Sequence, residues 1–279
     1  MKTFAIKDES IIAQSINNVP TTHLPLVEMF YGIEGEGSNI GDPRILLRVS
    51  GCRIKCHGCD SPHTWNANGG TLLPLPDIIS QLDKMIDETG VKTVAVTGGE
   101  PMHYPEQVVV LAKYLRDKGV RSWLETSGWI INQEVFDMFD FVSFDIKTPS
   151  SKEAAMDREQ VDDLLEYVHH RLSTLYTHPN NSGHPTGDMQ IKFIVTDKAD
   201  IDYILSLAVH EHPSQENRLS LGDVIYNRHR LYGKLIITPA CGKHSTPSDV
   251  RKRMELCMEH MKGLPYRIIA QQHPFLNMP

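Results

Sequence analysis

Cys52, Cys56 and Cys59 are the residues of this chain with the clearest capacity for chemistry. They lie in Gly51-Cys52-Arg53-Ile54-Lys55-Cys56-His57-Gly58-Cys59-Asp60, a C-x3-C-x2-C spacing with no fourth cysteine nearby. Three thiolates on one short loop suit a single iron–sulfur cluster. A four-iron cluster held by three cysteines keeps one iron open to a further ligand. The loop is therefore a candidate reaction centre rather than a wire for electrons. Zinc is the competing reading, because His57 lies among the cysteines and Cys3His is a known structural zinc set. Zinc knuckles draw their ligands from separated pairs, whereas these thiols share one short segment; unliganded thiols are the third reading. Cys257 shares an apolar helical face with Val250, Met254, Met258 and Met261 and reads as a small core residue. Cys241 follows the turn Thr238-Pro239-Ala240, as either a pocket-edge residue or an ordinary one.

The elements that must position this loop follow from periodicity. Short β-rich runs alternate with amphipathic helices after residue 22. Strands are predicted over 45–49, which enters the cysteine loop, and over 93–97, 121–125, 141–145, 190–195, 235–238 and 267–270. Helices are predicted over 77–89, stopped by Gly90, over 106–118, ended by Gly119, and near 160–175. This alternation implies a parallel sheet covered by helices. About seven strands are too few for a closed eight-fold barrel, which leaves an open, partial parallel β/α barrel. Ligands gather at the C-terminal strand ends of such sheets. There the chain places Gly98-Gly99-Glu100, then Glu125-Thr126-Ser127-Gly128, then Asp145-Ile146-Lys147. Residues 1–22 read as an N-terminal extension and 23–279 as one catalytic domain, with 177–188 and 212–233 as excursions from the core.

Composition narrows the class. Of the 279 residues 40% are apolar and 23% charged, as in an ordinary soluble globular protein. A formal charge of −7 argues against non-specific nucleic-acid binding. Lys7-Asp8-Glu9 interrupts any signal-peptide pattern, and no apolar run is long enough to span a bilayer. Five cysteines, three of them clustered, make no disulfide framework and fit a reducing cytoplasm.

The motifs carry a resemblance to a known family. The cysteine loop followed by Gly98-Gly99-Glu100-Pro101 resembles the radical S-adenosylmethionine enzymes. Within them, Phe30-Tyr31-Gly32-Ile33-Glu34-Gly35-Glu36-Gly37-Ser38 is similar to the opening of the 7-carboxy-7-deazaguanine synthase family. Arg48, Cys59-Asp60-Ser61, His63-Thr64-Trp65, Thr97, Glu125-Thr126-Ser127-Gly128 and the ending Gln271-Gln272-His273-Pro274-Phe275-Leu276-Asn277 follow in that family's order. The likeness runs from about Leu24 to Pro279. This chain departs in having Glu34 where Gln is usual, Ser61 where Thr is commoner, and Thr238-Pro239 in place of Gln-Pro.

The resemblance implies a carbon–nitrogen lyase of 7-deazapurine, queuosine-type biosynthesis. It would convert 6-carboxy-5,6,7,8-tetrahydropterin to 7-carboxy-7-deazaguanine with loss of ammonia. Its cofactors would be a [4Fe-4S] cluster on Cys52, Cys56 and Cys59, S-adenosylmethionine, and Mg2+ at Ser61. Gly99, Glu100, Ser127, Asp145, Lys147 and Thr238 would hold S-adenosylmethionine. Ile33, Glu34, Gly35, Arg48, Thr97, His273 and Pro279 would hold the pterin, the last through its terminal carboxylate. The residues agree in type: glycines admit close backbone approach, Glu100 accepts from an ammonium, and Arg48 matches a carboxylate bidentately. Without the cysteines, Gly98-Gly99-Glu100 reads equally well as a plain strand-end turn, and Asp60-Ser61 as a turn or cap. Implied partners are the pterin, an electron donor such as flavodoxin or ferredoxin, and a second copy in a homodimer, with no direct nucleic acid and no membrane. A glycyl-radical activase sharing the cysteine spacing and a zinc-bound interaction domain are the alternatives.

Overall fold

In a computed structural model of the chain, the structure describes residues 19–177, 188–208, 220–226, 234–241 and 245–272. The predicted extension lies outside them except for residues 19–22, as do most of the excursions 177–188 and 212–233 and the tail residues His273 and Pro279.

Among the described residues nine strands form one open sheet. In chain order they are β1 (His23–Ile33), β2 (Pro43–Val49), β3 (Thr71–Pro74), β4 (Thr93–Gly98), β5 (Arg121–Thr126), β6 (Phe141–Ile146), β7 (Asp188–Val195), β8 (Leu235–Pro239) and β9 (Arg267–Ile268). Their spatial order is β3-β1-β2-β4-β5-β6-β7-β8-β9. From β2 to β9 every neighbouring pair is parallel. The sheet ends at β3 and β9 without closing, as expected from the strand count. All seven predicted strands form, and they are the seven parallel ones. The sequence reading missed β1 and β3, which pair antiparallel with each other and, through β1, with β2. In β1, Pro25 and Gly32 interrupt the pattern of a strand, and β3 is only four residues long.

Among the described residues seven α-helices complete the layer: α1 (Leu75–Thr89), α2 (Pro105–Asp117), α3 (Gln133–Phe136), α4 (Arg158–Thr177), α5 (Lys198–Leu207), α6 (Leu221–Tyr226) and α7 (Pro247–His260). Helix α1 ends on Gly90 at φ 66°, the left-handed cap that the sequence signals. Helix α6 falls inside the second excursion, and its Leu221 and Val224 are buried in the core.

The two faces of the parallel sheet differ in kind. Leu47, Val49, Val96, Leu124, Phe144, Ile146, Ile191, Phe193 and Ile237 face the helices in the main core. The alternate positions carry Arg44, Arg48, Thr97, Glu125, Ser143, Asp145, Gln190, Lys192 and Thr238. Parallel strands covered on both faces ordinarily read as continuous apolar runs. Here the second face is polar yet covered: Arg44 is 1%, Gln190 2% and Lys192 5% exposed. Such groups are costly to bury unless they are paired or used. At the N-terminal end this face is closed by Ala95, Trp123 and Phe141. The Trp123 and Phe141 rings stack at 3.7 Å, and the Arg44 guanidinium lies 4.2 Å from the Trp123 ring centre.

Candidate active site

Strand β2 delivers the cysteine loop to the C-terminal edge of the sheet. Its base is pinned by backbone bonds from Gly51 N to Thr64 O (2.7 Å) and from Cys52 N to Trp65 O (3.1 Å). The end of β4 lies directly on it. Gly99 N donates to Val49 O and Glu100 N to Gly51 O, both at 2.9 Å. A Cβ on Gly99 would stand 2.2 Å from Gly51 O, so the second glycine is required by backbone packed on backbone. The turn within the loop uses Gly58 at φ 76° and Lys55 at φ 50°.

The three thiols are free, and charge on Cys59 raises the Cys52 thiol while charge on Cys52 and Cys59 raises the Cys56 thiol. Burial is the largest cause in each case, and it pushes Cys56 up to about 11, against the pull of the neighbouring Lys147 ammonium. Metal binding at such thiols releases their protons and replaces a costly desolvated thiolate with a coordinated one. His57 is exposed, and its backbone N–H donates to Ser151 O. The donor set, three thiols with no carboxylate among them, fits an iron–sulfur cluster.

Beside the loop, the polar face carries two linked networks. Lys192 sits between carboxylates, paired with Glu36 and 3.5 Å from Asp145 Oδ2, which Lys147 also holds at 2.9 Å. Burial pushes the Asp145 carboxyl up, but Lys147 and Lys192 outweigh it and hold it below its ordinary value. The Lys192 ammonium is held well above its ordinary range: burial alone would lower it, and Asp145 and Glu36 overcome that. Glu36 also accepts from Gln271 Nε2 at 2.9 Å, and Gly35 O accepts from Gln272 N at 2.9 Å. Residues 271 and 272 are thereby held on the Glu34–Glu36 turn. In the second network Glu34 pairs with Arg44, and Thr97 Oγ1 donates to Glu125 Oε2 at 2.8 Å. Burial and the Glu125 charge push Glu34 up to about 8, opposed by Arg44.

Most of the predicted site residues come together. Arg48 donates through Nη1 to Ser61 Oγ (3.2 Å) and through Nε to Glu28 (2.8 Å). Glu100 is enclosed: it accepts from Met102 N, Thr126 Oγ1, Ser127 N and Ser127 Oγ at 2.6–3.0 Å. Apart from Glu34 Oε2, which is ion-paired with Arg44, the buried side-chain oxygens without a hydrogen-bond partner among the described residues are Asp145 Oδ1 and Thr238 Oγ1, both at predicted cofactor contacts. They are the acceptor and hydroxyl that a polar ligand on this face would satisfy. The predicted His273 and Pro279 lie outside the described residues. Sequence reading missed Glu36, Arg44, Glu125, Gln190 and Lys192 as site residues. The signal for two of them was present: Gln190-Ile191-Lys192-Phe193 alternates polar with apolar in a strand of the parallel sheet predicted to be covered by helices.

An open parallel α/β sheet with a three-thiol loop at its C-terminal edge defines a cluster-bearing enzyme class. Residues 33–167 match the model of the 4Fe-4S single cluster domain family. The fold resembles the crystal structure of QueE from Escherichia coli, with a TM-score of 0.56 at 18% identity, covering 95% of this chain and 100% of that one. The 7-carboxy-7-deazaguanine synthase of Halobacterium salinarum is 30% identical over 218 residues, 78% of this chain and 81% of that protein. That of Methanocaldococcus jannaschii is 27% identical over 267 residues, 90% of this chain and 98% of that protein. The chain belongs to the 7-carboxy-7-deazaguanine synthase family.

Proposed function

We propose that this chain is a radical S-adenosylmethionine lyase that converts 6-carboxy-5,6,7,8-tetrahydropterin to 7-carboxy-7-deazaguanine with loss of ammonia. The observation that carries the reading is the meeting of the cysteine loop with a buried polar face containing two unpartnered oxygens. Cys52, Cys56 and Cys59 would hold the cluster. Gly99, Glu100, Ser127, Asp145, Lys147 and Thr238 would hold S-adenosylmethionine. When bound, cluster and S-adenosylmethionine supply the one-electron chemistry that removes a hydrogen atom from the substrate. The covered polar face supports a small-molecule substrate over a protein glycyl loop. On that face Arg48 would orient a carboxylate, and Thr97 and the Ile33–Gly35 backbone would offer polar contacts to a heterocycle; His273 and Pro279 are assigned to the same substrate by the family resemblance alone.

Ser61 supplies a hard oxygen for Mg2+ beside Arg48, an ion that takes few protein ligands. An electron donor such as flavodoxin or ferredoxin, a homodimer and a cytoplasmic location complete the proposal. Among the described residues no helix is long and apolar enough to cross a membrane. The test is an anaerobic assay with reductant, S-adenosylmethionine, Mg2+ and the carboxypterin, following the deazaguanine product and ammonia. Cleavage of S-adenosylmethionine without deazaguanine would reject the substrate assignment.

A further inference from the structure

A buried carboxylate far from the cysteines in sequence is joined to their loop through a short bridge. Asp200, on the first turn of α5, is fully buried. Its Oδ1 accepts from Ser150 N at 2.9 Å, and its Oδ2 accepts from Ser150 Oγ at 2.7 Å and Thr196 N at 2.8 Å. Ser150 belongs to the 3-10 segment Pro149–Ala154 that follows β6. The next residue, Ser151, offers its carbonyl to His57 N at 3.2 Å, between Cys56 and Cys59. The same segment closes back on β6 through Met156 N to Lys147 O at 2.9 Å, and Lys147 is the cation that acts on the Cys56 thiol.

The bridge is held under strain. Lys152 has φ 55° and ψ −120°, a conformation that a residue with a Cβ adopts only where its surroundings impose it. Helix α5 does not need Asp200 to bind Ser150, because Asp197 Oδ1 already caps its first turn at Ala199 N (2.9 Å). The bonds to Ser150 are thus additional to those of the helix cap. We propose that Asp200 and Ser150 form a positioning clamp that fixes the Ser151 carbonyl under His57, and thereby the Cys56–Cys59 half of the cluster loop. Neither residue touches the cluster; both act through the backbone. The inference rests on the cluster reading of that loop and on no particular substrate.

The test uses the anaerobically purified, full-length protein with its cluster. Ser150→Ala deletes one bond of the clamp and Asp200→Asn removes the charge. Each is expected to speed iron loss to a ferrous chelator, by about tenfold for a lost charge-assisted hydrogen bond. Each should also alter the electron paramagnetic resonance of the reduced cluster recorded without S-adenosylmethionine. Thr246→Ala, which breaks the capping box of α7, is the control for general destabilisation. If Thr246→Ala speeds iron loss as much as Ser150→Ala at a matched drop in Tm, the clamp is overturned. The clamp is equally overturned if both clamp variants keep wild-type iron retention and spectra. Wild-type protein without iron and sulfide would instead overturn the cluster reading beneath it. Should Asp200→Asn fail to fold, Ser150→Ala alone decides, since that serine is only partly buried.

Discussion

Arg48 and Ser61 are thirteen residues apart yet share a hydrogen bond, Nη1 to Oγ at 3.2 Å. The guanidinium is also held through Nε by Glu28, its cross-strand neighbour on β1. Nε and Nη1 are therefore both engaged, which leaves the guanidinium aimed rather than free. Lys would keep the charge and lose that geometry. Arg48→Lys is expected to lower kcat/KM for the carboxypterin by roughly 10- to 100-fold, the scale of one charge-assisted bond. Substrate-independent cleavage of S-adenosylmethionine should change far less. Equal loss in both assays would place Arg48 on the cofactor or on the fold.

Replacing Cys52, Cys56 or Cys59 with Ala should abolish cluster assembly and turnover, since two thiolates do not hold the site. Cys257, fully buried on α7, should be replaceable by Ala with the cluster intact and only a loss of stability, about 1 kcal/mol for a small buried group. Iron and sulfide analysis of the four variants checks this. A Cys257→Ala protein that loses its iron while Cys56→Ala keeps it would reverse the assignment.

Lys192 is predicted to be the most stability-sensitive cation of the polar face. It is buried between Glu36 and Asp145, so Lys192→Met leaves two buried carboxylates without their shared partner. Breaking a buried pair in this way costs about 3–5 kcal/mol. Urea unfolding of the apoprotein gives the measurement. A loss below 1 kcal/mol would show that the carboxylates find other partners.

Glu34 carries a pH signature. Its folded pKa is raised to about 8 by burial and by Glu125, with Arg44 opposing, from an ordinary value of 4.5. Between these values the folded state binds a proton that the unfolded state does not, so this group's contribution is full below 4.5 and is lost as pH rises to about 8. Glu34→Gln should remove that slope, a difference of up to about 1.4 kcal/mol per pH unit between variant and wild type. Denaturation at pH 5.5, 6.5 and 7.5 measures it. Parallel stability curves for the two proteins would show that Arg44 keeps Glu34 ionised throughout.

What the sequence revealed divides along physical lines. The parallel strands were readable because β-rich runs such as Thr93–Gly98 end in glycines and polar residues where ligands gather. The cysteine loop was readable because its three thiols, Cys52, Cys56 and Cys59, lie close together on one short segment. By contrast β1 is held by pairing with β2, a contact between remote segments, and its own Pro25 and Gly32 obscure it. Lys192 and Glu36 are 156 residues apart, and only the closing of the opening turn over β7 makes them a pair. Glu100 was read as a ligand acceptor, while its four internal bonds also make it the knot between β4 and β5. Local chemistry is written in local sequence; networks across the sheet are not.

The most discriminating prediction concerns Mg2+ at Ser61. Its hydroxyl lies between Arg48 Nη1 and Asp60 Oδ1, the latter at 3.0 Å, so a cation and a carboxylate already converge on one oxygen. An ion sharing that oxygen with substrate oxygens would act as a template and charge neutraliser, with no part in cleaving the cofactor. Turnover should then depend on Mg2+, and Ser61→Ala should blunt that dependence while S-adenosylmethionine cleavage persists. Ser61→Thr keeps the oxygen and should be tolerated. Ser61→Ala also removes the acceptor of Arg48, so its effect must be read beside Arg48→Lys. A loss of Mg2+ dependence in Ser61→Ala but not in Arg48→Lys assigns the ion to the serine. If both variants lose it equally, the ion depends on the Arg48 geometry instead. Wild-type turnover that is indifferent to chelation of all Mg2+ would remove the metal from the mechanism.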